Sequence, residues 1–117
     1  MDWHVQIERA GVELGNYLGF LVRRQEVIAS NIANADTPGY RSRDVASPAD
    51  FSLALDEARA SAFEVTGLAA HNDGNNVSID RESRLLAEND LRFNVATQLL
   101  RGEFKELREA INEGRAG

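Results

Sequence analysis

The chain has 117 residues, of which 43% are hydrophobic and 27% charged, and it carries a net charge of −6. This length suits a single domain over residues 1–117, and the acidic balance argues against nucleic acid as a partner because phosphate binding needs a basic surface. No run approaches the roughly 18 consecutive apolar residues that span a membrane. The absence of cysteine excludes disulfides, zinc–cysteine sites and thiol nucleophiles.

The first third of the chain, residues 1–36, has the pattern of a long amphipathic helix. Apolar residues recur at alternating steps of three and four, which is typical of one helix face and not of a strand. The positions, six of the seven apolar and one a glutamine, are Leu14, Leu18, Leu21, Gln25, Ile28, Ile32 and Ala35. Gly11, Gly15 and Gly19 lie on one side of this helix, and each destabilises it by about 1 kcal/mol relative to alanine. The segment before Asn16 therefore either frays or becomes helical only when it packs on neighbours.

Residues 37–77 are predicted to hold a turn, a short helix and a less regular segment. Pro38 and Gly39 end the first helix, because the residue before a proline avoids the helical conformation. A serine–proline pair supplies an N-cap and a first helical residue, and it predicts a short helix over 48–60. Residues 61–77 fit either a small hairpin or a loop.

The second strong helical segment covers residues 78–113. Ser78 is the predicted N-cap, with two acidic residues near the positive end of the helix, and Gly114 is its predicted end. The apolar positions, with one polar interruption, are Leu86, Asn89, Phe93, Ala96, Leu100, Phe104, Leu107 and Ile111. Gly102, in the middle of the helix, is either tolerated at the surface or a site of close packing against another helix.

These segments predict an all-α fold. The long N- and C-terminal helices are expected to pair as an antiparallel coiled-coil-like hairpin with a partly ordered middle. The apolar stripes include adjacent positions, such as Leu85 with Leu86 and Leu99 with Leu100, and are wider than a two-helix contact needs. The surplus is buried either against other chains, so that the monomer folds fully only on assembly, or against the short middle helix in a closed hairpin. The width of the stripes favours assembly.

No residue pattern points to catalysis, a cofactor or a metal ion. His4 and His71 are far apart in sequence and are not in a metal-ligand spacing. Residues 72–76 invite comparison with a calcium loop, but the twelfth position counted from Asp73 is Arg84, so a turn is predicted instead. The sequence also contains neither a phosphate-binding loop nor a nucleophile elbow. We therefore expect no enzymatic activity, no cofactor and no metal site.

Two segments resemble a known protein superfamily. Residues 24–41, RQEVIASNIANADTPGYR, are similar to the N-terminal signature of bacterial flagellar axial proteins, and the SNIANADTPGY run is highly specific to that superfamily of rod, hook and hook-junction proteins. Residues 73–82, DGNNVSIDRE, with LAEN at 86–89 and LRF at 91–93, resemble the C-terminal half of its proximal rod members. The short length agrees with a proximal rod protein, because hook and distal rod proteins carry large inserted domains.

The resemblance implies a structural subunit of the flagellar rod, which passes torque from the membrane-embedded motor to the hook. It implies terminal helices packed into an inner tube around a narrow channel. The neighbours would be further copies of the chain, other rod proteins and the adaptor that joins the rod to the export gate. It also implies export through the flagellar type III apparatus to the periplasmic part of the basal body, so no cleaved signal peptide is expected.

The resemblance places residues at the end of the first helix at assembly contacts. Asn31 and Asn34 share one helical face, and their amides can bond main-chain groups of the following turn or of a neighbouring subunit. Pro38 and Gly39 fix the direction in which the chain leaves the helix, and Tyr40 offers a ring to pack and a hydroxyl to bond. The alternative for each of these residues is self-contained capping within the chain.

Asn89 interrupts an apolar stripe, and a buried asparagine can fix the register between helices. The predicted assembly surface combines the turn residues with apolar positions of both helices. Its members are Leu14, Leu18, Leu21, Ile28, Asn31, Ile32, Asn34, Pro38, Gly39, Tyr40, Asn89, Phe93, Leu100, Phe104, Leu107 and Ile111.

Two other interpretations stay open. One is another short proximal rod component of the same superfamily. The other is a stand-alone helical adaptor or export chaperone that binds one partner helix, which predicts a well-folded soluble monomer or dimer. The rod interpretation instead predicts isolated monomers that are partly disordered, especially over residues 1–15 and 40–77.

Overall fold

A computed structural model describes residues 2–46 and 62–116 of the chain and contains two long helices separated in sequence by two short strands. In chain order the elements are α1 (Trp3–Ala33), β1 (Arg43–Val45), β2 (Ala62–Glu64) and α2 (Ile79–Ala116). The packing of α1 against α2 confirms the predicted helical hairpin, to which the structure adds a small sheet. The predicted short helix over 48–60 lies outside the described residues. The molecule measures 71 × 21 × 17 Å along its principal axes.

α1 runs without a break through its three glycines, so the fraying considered above is not observed. Gly11 faces α2, because a Cβ atom added there would lie 4.0 Å from Leu100 Cδ1. A Cβ atom at Gly15 would meet nothing within 4 Å and would therefore point into open space. The glycine side of α1 is accordingly covered by α2 at one position and left open at the next.

α1 ends at Ala33, three residues before the predicted boundary. The Asn34 amide donates to the carbonyl oxygens of Ser30 and Asn31 at 3.1 and 3.2 Å, and the Asn34 side chain donates to the Ser30 carbonyl oxygen at 2.9 Å. The Thr37 amide then donates to the Asn34 carbonyl oxygen at 3.0 Å and closes a turn. Asn34 thus caps α1 within its own chain, as the alternative of self-contained capping predicts.

α2 begins at Ile79, immediately after the predicted N-cap. The Ser78 hydroxyl oxygen accepts a hydrogen bond from the Arg81 amide at 3.3 Å, which satisfies one of the free donors at the helix start. The helix continues to Ala116, two residues beyond the predicted end at Gly114. Gly114 does not take the left-handed backbone conformation with which glycine commonly terminates a helix.

The two helices are antiparallel, and polar contacts fix their alignment. At the middle of the hairpin, Asn89 Nδ2 donates to the Leu21 carbonyl oxygen at 2.9 Å. At the end of α1, Asn31 Nδ2 donates to Glu82 Oε2 at 3.1 Å. The C-terminal end of α1 therefore lies beside the start of α2, and the free ends of the two helices lie together at the opposite end.

The sheet is a pair of antiparallel three-residue strands. Arg43, Asp44 and Val45 of β1 pair with Glu64, Phe63 and Ala62 of β2, respectively. The hairpin considered for residues 61–77 is therefore wrong, because β2 pairs with a strand near the end of α1 and not with the residues that follow it. The segment from 65 to 78 contains no strand, and it makes a turn at 72–74, with four residues between that turn and α2.

The buried core is confined to the half of the hairpin that lies beside the sheet. Its hydrophobic members are Phe20, Leu21, Val27, Ile28, Val45, Val77 and Ala96. In the opposite half, residues 3–19 of α1 and 97–114 of α2, no side chain that the structure describes is buried. This part of the molecule, called the helix-terminal half below, leaves its apolar side chains partly exposed.

Candidate assembly surface and the polar joint beside it

Asn31, near the end of α1, is fully buried and uses its whole hydrogen-bonding capacity. Its Nδ2 donates to the Arg43 carbonyl oxygen at 2.8 Å and to Glu82 Oε2 at 3.1 Å. Its Oδ1 accepts from the Arg43 amide at 3.1 Å and from the Tyr40 hydroxyl at 3.0 Å. One side chain therefore joins α1, β1 and α2. The Tyr40 hydroxyl makes this bond inside the chain, as self-contained capping predicts.

Asn75 fastens the segment before α2 to the turn that follows α1. Its Nδ2 donates to the carbonyl oxygens of Asn34 and Thr37 at 2.9 and 2.8 Å, and its Oδ1 accepts from the Val77 amide at 2.8 Å. The side chain is completely buried. It thus satisfies carbonyl groups that the end of α1 leaves without helical partners.

Asn76 makes a second connection between the same two segments. Its Oδ1 accepts from the Ser42 amide at 2.6 Å, and its own amide donates to the Tyr40 carbonyl oxygen at 3.3 Å. Both Asn76 and Ser42 are buried. The polar side chains of this region, all buried except the half-buried Tyr40, form one cluster, called the polar joint below. Its members are Asn31, Tyr40, Ser42, Asn75, Asn76 and Glu82.

Two glycines allow the backbones of the joint to meet closely. Gly39 and Gly74 have φ values of 75° and 86°, in the left-handed region that favours glycine. A Cβ atom added to Gly74 would lie 3.5 Å from Gly39 Cα, and the Gly39 amide donates to the Asp73 carbonyl oxygen at 2.9 Å. The Pro38–Gly39 turn therefore directs the chain against the turn that precedes α2.

Charged side chains also hold α1 to β1 and α2. The Arg24 guanidinium donates to both carboxylate oxygens of Asp44, at 3.1 and 3.3 Å, and the two side chains are 16% and 15% exposed. This two-bond geometry is the strong form of an arginine–carboxylate pair. The Glu82 carboxylate, which is fully buried, accepts from Arg81 at 3.0 Å through Oε1 while Oε2 accepts from Asn31.

Asn89 occupies the helix interface within the chain. It is fully buried, and its Nδ2 lies 2.9 Å from the Leu21 carbonyl oxygen and 3.5 Å from Gln25 Oε1. Its Oδ1 accepts no hydrogen bond from the residues the structure describes. The asparagine predicted to set a helix register thus sits between α1 and α2 of one chain.

The predicted assembly residues fall into three groups by burial. The buried ones are Leu21, Ile28, Asn31 and Asn89, the half-buried ones are Leu14, Leu18, Ile32, Asn34, Tyr40, Phe93, Leu100 and Leu107, and the exposed ones are Pro38, Gly39, Phe104 and Ile111. The first group is therefore occupied by contacts within the chain. Of the two apolar stripes, Phe104 and Ile111, at 58% and 47% exposure, remain the most accessible to another subunit.

An apolar groove of about 500 Å³ follows one flank of the hairpin. Its α2 wall carries Leu91, Val95 and Leu99, which lie one helical turn apart and are 64%, 50% and 55% exposed. The rest of the lining is Leu14, Tyr17, Glu88, Arg92 and Ala96. Arg92 donates hydrogen bonds to the Tyr17 hydroxyl and the Glu88 carboxylate, and these bonds raise the pKa of Arg92 above its ordinary value. In the sequence, only the widened apolar stripe of the second helix, which includes Val95 and Leu99, indicates this wall.

A second groove, of about 630 Å³, lies between the same helices and shares no lining residue with the first. It is lined by Val22, Gln25, Glu26, Ala29, Asp90, Phe93 and Asn94. Because a pair of helices has two flanks, the two grooves lie on opposite flanks of the hairpin. The molecule thus offers a different surface on each side.

Sequence reasoning missed most of the polar joint. The sequence predicts only a turn at residues 72–76. In the structure Asn75 and Asn76 are buried, and their side chains bond four backbone groups, those of Asn34, Thr37, Ser42 and Val77. The available signal was the unusual density of asparagine, whose side chain mimics backbone groups. Its partners could not be read because they lie about forty residues away.

The described part of the chain, residues 2–46 and 62–116, contains no group of three His, Cys, Asp or Glu side chains that could hold a metal ion. No helix in that part is long and apolar enough to cross a membrane.

Comparison with known proteins gives a consistent result. A family model described as "Flagella basal body rod protein" matches residues 21–41, which include Asn31 and the turn after α1. The chain is 30% identical to the flagellar basal body rod protein FlgB of Yersinia enterocolitica, over 83% of this chain and 89% of the relative. It is 29% identical to FlgB of Escherichia coli K12 over 83% and 88%, and 31% identical to FlgB of Borrelia hermsii over 81% and 90%, respectively.

Proposed function

This chain belongs to the FlgB family of flagellar basal body rod proteins and is thus a structural subunit of the proximal rod, and we propose that it assembles there through the helix-terminal half of its α1–α2 hairpin and through the adjoining groove wall of Leu91, Val95 and Leu99. In this proposal the paired helices form part of the tubular drive shaft. The polar joint orients the remainder of the subunit with respect to that shaft.

The observation that carries the proposal is the uneven core. The hairpin buries its apolar side chains beside the sheet, whereas residues 3–19 and 97–114 include no buried side chain among those described. Burying the exposed parts of Leu91, Val95 and Leu99 would stabilise an assembly by about 1 kcal/mol per side chain. Surfaces of this kind on a small subunit are typical of chains that complete their core on neighbours.

The polar joint supports a role in passing torque. A drive shaft needs subunits whose parts do not swivel against one another under load. Asn31, Asn75 and Asn76 tie the segments on either side of the sheet to both helices by hydrogen bonds of 2.6 to 3.1 Å. Asn31 and Asn75 have partners for their side-chain oxygen and nitrogen atoms, whereas Asn76 Nδ2 and Ser42 Oγ have none among the described residues. Buried polar groups that have partners specify one arrangement of the segments that they join.

Membership of the rod family places the chain in the flagellar basal body, in assembly with other rod proteins. We propose that its neighbours include the adaptor between rod and export gate, and that it reaches the periplasmic rod through the type III export apparatus without a cleaved signal peptide. We also propose that it has no catalytic activity. Its relatives are named as structural rod proteins, which supports that view.

The proposal is tested by complementing a strain that lacks the chain and isolating basal bodies. The test variant replaces Leu91, Val95 and Leu99 with serine, and the control variant replaces three exposed polar residues of the same helix, Arg84, Gln98 and Asn112, with serine. We expect the wild type and the control to restore rods and the test variant to fail, with similar helix content in all three. Rods that build in the strain lacking the chain would contradict the rod assignment and would favour a helical adaptor.

A further inference from the structure

A notch with an acidic rim lies at the free end of the hairpin, where the start of α1 meets the end of α2. Trp3, Ile7 and Ala110 form its floor, and its volume is about 250 Å³. Three exposed carboxylates of α2 surround it: Glu106, Glu109 and Glu113. These six residues are called the acidic notch below. The notch is apolar at its base and negative at its edge.

A ridge of exposed apolar side chains flanked by positive charges lies on the same stretch of α2. Phe104 and Ile111 are 58% and 47% exposed and lie seven residues apart, on one side of the helix. Arg101 and Arg108 have the same seven-residue spacing, are exposed, and flank Phe104 by three and four residues. These four residues are called the basic ridge below.

The notch and the ridge point to opposite flanks of the hairpin. The α2 positions that face α1 here alternate between Leu107 and Ala110, both half-buried. In the seven-residue repeat, Glu106 and Glu113 lie next to the Ala110 side, and Phe104 and Ile111 lie next to the Leu107 side. The centres of the two surfaces differ by about one helical turn along the axis, roughly 5 Å.

We propose that the basic ridge of one copy of this chain docks into the acidic notch of a second copy lying beside it. Phe104 fills the apolar base of the notch, and Arg101 and Arg108 pair with the glutamates on its rim. This inference rests on the proposed function, because it names the contact through which copies pack in the rod. A basic amphipathic helix of another protein is the alternative occupant, and the experiment below excludes it by using one purified chain.

Two features favour a second copy as the occupant. Both surfaces belong to every copy and lie on opposite flanks at nearly the same height, so one contact repeats from copy to copy and produces a ring or a helical array. About two helical turns nearer the start of α2, Val95 and Leu99 are exposed on the notch flank, at the level of Gly15, where a Cβ atom on α1 would meet nothing within 4 Å. Large side chains on one flank are thus at the same level as the open position that Gly15 leaves on α1.

Cross-linking tests the contact directly, because the chain contains no cysteine of its own. Arg108→Cys protein is mixed with Glu109→Cys protein and treated with a short thiol-specific linker. The control pair is Gln98→Cys with Glu109→Cys, since Gln98 is exposed but belongs to neither the notch nor the ridge. We expect the Arg108–Glu109 mixture to give at least ten times more mixed dimer than the control pair and than Arg108→Cys alone.

A charge exchange provides the second measurement. The ridge variant is Arg101→Glu/Arg108→Glu, and the notch variant is Glu106→Lys/Glu113→Lys; all four positions are exposed, so folding is expected to be unaffected. Each variant alone should associate about tenfold more weakly than the wild type in sedimentation experiments at low salt, because like charges then meet. An equimolar mixture of the two should regain wild-type association.

The outcomes separate this contact from the rod assignment. Failure of the mixture to regain association, equal cross-linking in all pairs, or dominant Arg108→Cys homodimers would overturn the notch-and-ridge contact. If the ridge variant nevertheless restores rods in the complementation experiment, the rod assignment stands and only the contact is refuted. Loss of rods with the ridge variant, and their return when both variants are expressed together, would support both.

Discussion

Removal of the Asn31 side chain is expected to unfasten the polar joint. Its amide group makes four hydrogen bonds, to the Arg43 amide and carbonyl groups, the Tyr40 hydroxyl and the Glu82 carboxylate, and it is fully buried. Asn31→Ala leaves the Arg43 backbone groups and Glu82 Oε2 without this partner, whereas the Tyr40 hydroxyl still has Ser30 Oγ at 3.3 Å. Buried polar groups without partners are more destabilising than the loss of an average hydrogen bond.

The expected size of the effect follows from those four bonds. A neutral hydrogen bond contributes about 1 kcal/mol net, and one to a charged group about 2 kcal/mol. Three neutral bonds and the bond to Glu82 therefore predict a loss of about 5 kcal/mol for Asn31→Ala. Small domains have unfolding free energies of about 5–15 kcal/mol, so the variant should be close to unfolding at room temperature.

The measurement is urea unfolding followed by circular dichroism. Asn34→Ala is the matched control, because Asn34 lies in the same motif but is only half-buried and bonds local groups, Ser30 and Thr37. We expect the control to lose about 1 kcal/mol. If Asn31→Ala lost no more than Asn34→Ala, the joint would not be a cooperative element of the fold and the reasoning above would be refuted.

Three further variants test other parts of the structure. Asn89→Leu removes a buried Oδ1 that accepts no hydrogen bond from the described residues, so it should stabilise the chain by about 1–2 kcal/mol in urea unfolding. The same variant should give assemblies of mixed register by electron microscopy. An unchanged urea midpoint or uniform rods would contradict this prediction. Arg24→Ala breaks the two-bond pair with Asp44 and should destabilise by about 1–3 kcal/mol, with a smaller loss if that carboxylate is also replaced. Gly74→Ala places a side chain on a residue with a φ of 86° and should lower the stability measured by thermal unfolding by about 1–2 kcal/mol. Gly15→Ala adds a Cβ that meets open space on α1 and should stabilise the protein. Equal effects of the two variants would refute the backbone argument.

The helices were predictable because each carries its own information. The three-and-four spacing of apolar residues and the Ser78 cap are local signals, and the start of α2 at Ile79 agrees with them. The ends were less accurate: α1 stops at Ala33 because Asn34 turns back on Ser30, and α2 passes through Gly114 without a left-handed residue. Local patterns therefore predict the presence of a helix more accurately than the residue at which it ends.

The joint and the sheet were not predictable, because their partners are remote in sequence. β2 pairs with β1, and Asn75 bonds carbonyl groups at the end of α1, through contacts between segments that are far apart in sequence. A single sequence shows that asparagine is abundant near residues 72–76 but not which backbone groups it reaches. The same limit applies to Tyr40, whose hydroxyl bonds Asn31 within the chain.

The sequence by itself determined two long amphipathic helices, the turn between them and the family, because periodicity, capping residues and a distinctive motif are properties of consecutive residues. Tertiary structure decided which apolar residues face inward and which remain for assembly. Asn89 and Leu21 are enclosed by the hairpin, whereas Leu91, Phe104 and Ile111 are left at its surface. The physical reason is that two helices can cover only one face of each other, and the direction in which the polar joint fixes α1 against α2 selects that face.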